Sequence, residues 1–373
     1  MIAVMAATAL LALTAGPWPA TATRPDEITT RVVVDSSRRE VMITVGPFDI
    51  PALPPGMTHD EMEMDGGEHG NSPVYRFEWP NQAWFRGFRY EMKDKNGVEV
   101  PSRVLHHMIM INFDRRQLLY PAVERLMGAG QETGETTIPR TIGVPLEPGQ
   151  RLGAYFMWSN ETGKDLEGVE FTIIMQYSPA NLNPQPVHAL PIYMDVNLTV
   201  GEGNAFDMPP GHSEKSYEFT FPITGRLLGV GGHMHDYGTA VRLEDVEKGK
   251  ILTEIKAKKD KEGRLLKLDR KLFGVSGKGL KLEAGKRYRV VGVYDNPTGK
   301  MIPGAMAHMV GLFAPDNLSE WPAIDLADET LQTDLAKLEE MGGGHEHKGA
   351  ENHSGHAMPT PAPKKPPAQP TPE

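Results

Sequence analysis

Cysteine is absent from all 373 residues, and that absence removes several chemistries at once. A disulfide framework, a thiolate zinc site, a blue-copper centre and a lipid anchor on an N-terminal cysteine are all excluded. Any metal must therefore be held by histidine, methionine or carboxylate. Hydrolytic signatures are missing too: there is no Gly-x-Ser-x-Gly, no His-Glu-x-x-His and no phosphate-cradling glycine loop. A nucleic-acid footprint is lacking. The formal net charge is −10, and the Lys and Arg concentrated over residues 248–289 alternate with apolar residues, as on a solvated strand face. The N-terminal apolar run, residues 2–15, falls short of the roughly 20 apolar residues that span a bilayer.

That short run is followed by Ala20, Thr21 and Ala22, a small-x-small pattern suited to signal-peptide cleavage. The expectation is a signal peptide over residues 1–22 and a secreted or periplasmic protein with no stable membrane span after cleavage. No Lys or Arg precedes the run, where signal peptides usually carry one. A cysteine-free exported chain points to a bacterial envelope. The sequons at Asn160, Asn197 and Asn317 matter only in a eukaryotic source.

Short β-type runs dominate the chain from there on: residues 31–35, 41–45, 74–79, 104–113 and 169–177, then 217–221, 240–243, 251–255, 288–294 and 309–313. Turn residues separate them and helical periodicity is absent, which predicts an all-β chain of antiparallel β-sandwich or jelly-roll type. The Pro-rich stretch 178–186 divides the strands, giving two tandem sandwiches over residues 28–180 and 187–318. Leu331, Leu335 and Leu338 share a helical face, so a short helix is expected over residues 325–341. Residues 342–373 are Pro-rich, His-bearing and of low complexity, and are expected to be disordered.

The motif richest in chemistry is His233-Met234-His235. In a strand, residues i and i+2 point to one face, so the two imidazoles sit side by side. Downstream, Met309 offers a thioether. Two imidazoles and a thioether suit copper that cycles between Cu(I) and Cu(II). A structural role for the histidines and core filling by the methionine are the competing readings.

The segments HMHDYGTAVRL (233–243), KRYRVVGVY (286–294) and MVGLF (309–313) resemble the second domain of the copper type II, ascorbate-dependent monooxygenases, the family of peptidylglycine α-hydroxylating and dopamine β-monooxygenases. The resemblance implies that His233, His235 and Met309 hold the copper that activates dioxygen. LHHMIMINF (105–113) resembles the His-His-Met motif of the family's first domain, which implies a second, electron-supplying copper on His106 and His107. Adjacent residues of a regular strand face opposite ways, so joint use of that pair needs a bulge or a strand end.

Two departures qualify the resemblance. Met157 stands where the family completes the second site with histidine, so the second copper is expected on His106, His107 and the Met157 thioether, which favours Cu(I), with a degenerate, empty site as the alternative. Gly231 stands where peptide-amidating members carry a carboxylate-binding arginine. With Phe313 and Gly311 also replacing polar residues, peptide amidation is not expected. What remains is a copper-dependent monooxygenase, with one or two coppers per chain, ascorbate or another reductant, and dioxygen and a small molecule as substrates. The alternative is a non-catalytic periplasmic copper-binding or buffering protein, with His59 and His69 and the tail residues His345, His347, His353, His356 and Met358 as loose metal sites.

Overall fold

The computed structural model describes residues 28–53, 70–273 and 278–341. The expected signal peptide, the His59/His69 loop and the His-rich tail lie outside these. The chain is all-β, and its one α-helix among the described residues is Glu329–Glu340. Alternation explains the strands. In Glu40–Ile50, for example, Val41, Ile43 and Val45 are fully buried and all belong to one core.

Four larger sheets form two sandwiches. The first pairs a seven-stranded sheet, centred on Glu40–Ile50, Leu166–Pro179 and Ala83–Lys93, with a five-stranded sheet containing Arg151–Trp158, Leu105–Arg116 and Val123–Gly130. Their facing sides close on Trp79, Phe156 and Phe171, and Phe48 meets Phe171 edge-on at 5.5 Å. The second pairs Leu190–Asp195, Ala307–Pro315 and Gly225–Met234 with a five-stranded sheet built around Arg287–Asn296 and Gly238–Asp245. Its separate core includes Phe221, Tyr288, Tyr294 and Phe313.

The crossing between units is sharp. Val187–His188 still pairs, in parallel, with Ile142–Leu146 of the first unit, whereas Leu190–Asp195 pairs with Ala307–Pro315 of the second. Ala189, fully buried, lies between them.

The units are closely joined. Leu118, just beyond the Leu105–Arg116 strand, enters the second unit's core, while Leu228 and Ala314 pack with the first. Arg270 reaches back to donate to the carbonyls of Glu135 and Gly134 at 2.9 and 3.3 Å. The helix then locks onto the first unit. Asp334 accepts two bonds of 2.6 Å from Arg125 and one from the Val123 amide, with Leu331 and Leu338 buried beneath.

Candidate metal centre

The centre begins with a bulge. Met157 pairs with His107, but the next residue, Trp158, pairs with Leu105, so His106 is the extra residue of its strand. A bulge turns one side chain out of the alternating pattern. His106 and His107 therefore lie together, with ring centroids 3.9 Å apart. Across the seam, Gly225–Met234 delivers His233 and the turn beyond it delivers His235, ring centroids 5.2 Å apart. Tyr237 adopts φ 63°, a conformation uncommon for a bulky residue. It is fixed by its amide to Gly263 and by the Gly238 amide to the His235 carbonyl. That locked turn sets where His235 points.

The two histidine pairs converge. Ligand-capable nitrogens of His106, His107 and His235 all lie within 4.8 Å of one another. His233 Nε2 is 2.8 Å from His107 Nε2, and His233 Nδ1 is 2.7 Å from Glu132 Oε1. Glu132 sits there because the chain turns tightly over residues 130–133; a Cβ on Gly130 would meet Glu132 Oε2 at 2.4 Å. Although burial pushes the Glu132 carboxyl up, the His233 charge and hydrogen bond hold it below the ordinary carboxylate range. An ionised Glu132 can only accept, so His233 Nδ1 donates to it, and one proton is shared between His233 Nε2 and His107 Nε2. Loss of that shared proton leaves two lone pairs 2.8 Å apart, a separation that two neighbouring ~2.0 Å metal–nitrogen bonds can span.

The donor set fits a metal that favours imidazole. Three histidines from two units form the cluster, and Glu132 orients a fourth, His233, whose Nε2 would join them as a ligand once the proton shared with His107 is lost. A carboxylate in that place fixes the tautomer and raises the basicity of a metal-binding histidine. Such a set suits copper and also zinc. Beside it lies a cavity of about 40 Å³ lined by His106, Gln131, Glu132, His233, His235 and Leu265, among others. That is room for a water or a diatomic molecule.

The expected ligand sets are rearranged. The residues assigned by sequence to two separate coppers, His106/His107 and His233/His235, form one cluster. Met309 is placed elsewhere: it pairs with Gly232, while His233 pairs with His308, so Met309 occupies the opposite face of the sheet. There it is fully buried in the second unit's core with Met234. His308 takes the place beside the cluster, its ring 5.4 Å from that of His233. Burial, and then the His233 charge, depress its basicity well below the usual histidine range, so it is neutral.

Met157 lies directly across from His107 on the neighbouring strand, on the same face, and borders the cluster. Gly311 and Phe313 share Met309's face. A Cβ at Gly311 would meet Leu227 at 2.4 Å, and Phe313 packs edge-on against Phe221, so both shape the core and neither lines a substrate pocket. Gly231 faces the Arg270 stem, with a Cβ there 3.7 Å from Arg270 Cγ.

Two site residues had no strong sequence signal. Glu132 is one acid among many, and only its glycine-flanked turn sets it apart. His308 adjoins Met309, and strand register alone distinguishes them.

No family model matches this chain, and no curated protein matches it. Among solved structures it is similar to the major capsid protein P2 of bacteriophage PM2, at 12% identity and a TM-score of 0.34, covering 67% of this chain and 95% of that one. It is also similar to a recombinant peptide:N-glycanase F, at 8% identity and a TM-score of 0.36, covering 74% and 96%. A further likeness is PNGase F, the glycosylasparaginase from Flavobacterium meningosepticum, at 7% identity and 0.34, covering 77% and 96%. Likenesses at this level carry nothing about chemistry.

Proposed function

We propose that this chain is an exported copper protein that hydroxylates a C–H bond of a small substrate, using dioxygen and an external reductant such as ascorbate, through one histidine centre at the seam between its sandwiches. The observation that supports this reading most is the convergence of His106, His107 and His235 within 4.8 Å from both units. Three imidazoles brought together by a bulge and a locked turn are a costly arrangement for a core and a productive one for a metal site. The resemblance to the ascorbate-dependent monooxygenases supplies copper as the metal. Copper would bring one-electron redox chemistry and a coordination position for dioxygen. The chain itself holds the three donors and keeps the negative Glu132 against His233.

The size of the cavity favours a second reading. At about 40 Å³ it holds no organic molecule within itself, so a substrate would have to lie over its mouth, which suits a non-catalytic copper-binding or buffering protein. Metal analysis combined with reductant-dependent oxygen uptake separates the two. Tightly bound copper with catalytic uptake supports the monooxygenase, and bound copper without it supports the buffer. A protein that retains no copper against a chelator contradicts both.

A further inference from the structure

A run of aromatic rings leaves the histidine cluster and ends at the surface of the second unit. The His233 ring lies 5.4 Å from that of His308, His308 lies 4.7 Å from Tyr193, Tyr193 6.2 Å from Tyr120, and Tyr120 6.4 Å from Tyr217. Tyr120 is buried and Tyr193 half-buried, whereas Tyr217 is 41% exposed. Tyr120 belongs to the first unit and crosses the seam, its hydroxyl accepting from the Asp195 amide at 3.1 Å.

The inner end of this run is equipped to handle a proton. The Tyr193 hydroxyl donates to Asp195 Oδ2 at 2.6 Å, and Asn204 Nδ2 donates to the same oxygen at 2.6 Å. Asp195 is fully buried, and burial raises its affinity for a proton. A phenol that loses an electron becomes a strong acid, so it needs such an acceptor at hydrogen-bond distance. Packing alone would be served as well by phenylalanine at position 193, with no carboxylate buried beneath it.

We propose that His308, Tyr193, Tyr120 and Tyr217 carry electrons inward from a small enediol-class reductant at the exposed Tyr217 to the metal centre. The proposal rests on the reading of that centre as a redox metal site. A phenol is a weak reductant, so the route is drawn on by a strong oxidant, such as hydrogen peroxide meeting the reduced centre when no substrate is present. Breaking the peroxide O–O bond to give two waters takes two electrons and two protons; a reduced metal held there would supply one electron, Tyr193 supplies the other, and both protons come from solvent. The Tyr193 O–H bond breaks at the same time, its proton passing to Asp195 Oδ2. An electron from the reductant then enters at Tyr217, passes through Tyr120 and restores Tyr193 as the proton returns. The four residues are then unchanged and the reductant has lost one electron through them; a second electron from the reductant along the same route would return the metal to its reduced state.

The test uses the full-length protein carrying one equivalent of copper, reduced and then mixed with hydrogen peroxide. Wild type, Tyr193→Phe and Tyr217→Phe are compared by freeze-quench electron paramagnetic resonance and peptide mass spectrometry. In wild type a tyrosyl signal should form, Tyr217 should be recovered as cross-linked dityrosine, and added ascorbate should suppress both. Tyr193→Phe should lose most of the Tyr217 product and show several-fold more oxidation of His106, His107 and His235. Tyr217→Phe, altered only at the surface, should keep the tyrosyl signal, lose the cross-link and slow its quenching by ascorbate. Equal Tyr217 product in wild type and Tyr193→Phe at equal copper content, or unchanged quenching in Tyr217→Phe, overturns the electron route while leaving the metal site standing. Failure of wild type to retain copper overturns the metal reading itself, and with it this one.

Discussion

Replacing Glu132 with glutamine isolates what the buried carboxylate does for the histidine cluster. The side chain keeps its size, so the tight 130–133 turn can persist, but the charge facing His233 Nδ1 at 2.7 Å is gone. A charge-assisted hydrogen bond becomes a neutral one of about half the strength. His233 then has less reason to hold its Nδ1–H tautomer, and the lone pair it offers at Nε2 becomes less basic. Loss of such a supporting partner typically lowers metal affinity 10–100-fold, which corresponds to roughly 1.4–2.7 kcal/mol. Affinity should be read by competition with a chelator strong enough to strip loosely held metal, so that only the tight site is counted. Glu132→Gln should bind copper about 10–100-fold more weakly while keeping its stoichiometry. Wild-type affinity in the variant would refute the idea that Glu132 acts on the metal site through His233.

Met309→Leu should leave the affinity for Cu(I) unchanged and cost under about 1.5 kcal/mol in a urea melt, because it swaps core residues of similar volume; a marked loss of Cu(I) would return Met309 to the ligand set. Asp334→Ala should destabilise the protein by about 3 kcal/mol, since it strands Arg125, which is a quarter exposed and so somewhat relieved by solvent; a melt within about 0.5 kcal/mol of wild type would contradict the docking of the helix. Glu244 is desolvated, yet Arg289 and Arg242 hold its carboxyl below 4.5, so its contribution to stability is full above that value and fades as pH falls through the lower folded value. Glu244→Gln should therefore be less stable than wild type at pH 7, and the two melting curves should approach each other below about pH 4; a gap that persists unchanged at pH 2 would exclude this linkage. Removing the residues after Gly344 should lower copper bound under excess metal without touching the tight equivalent, as a chelator-competed metal assay would show.

The strand content was legible because period-2 patterning carries the sandwich core, as Val41, Ile43 and Val45 show. His233 and His235 do lie side by side, but the strand ends at Met234 and the turn that follows, not strand alternation, places His235. The need for a bulge at His106/His107 was also readable, because adjacent strand residues cannot otherwise share a target. What spacing could not convey was distance across the seam. Two histidine pairs more than 120 residues apart give no sign of whether they hold two ions or one. Strand register was equally hidden: His308 and Met309 are neighbours in sequence, and only pairing of His308 with His233 puts one at the cluster and the other in the core. Glu132 was invisible for a third reason. Its role depends on a glycine-permitted turn that brings a carboxylate to a histidine in another unit.

The central claim is that His106, His107 and His235 hold one metal ion between them, and the most direct measurement is copper stoichiometry after chelator competition in wild type, His107→Ala and His235→Ala. The account predicts one tightly held copper per chain in wild type and none in either variant, because each removes a donor from the same centre. Two tight coppers in wild type, with one surviving each substitution, would show two independent sites and contradict it.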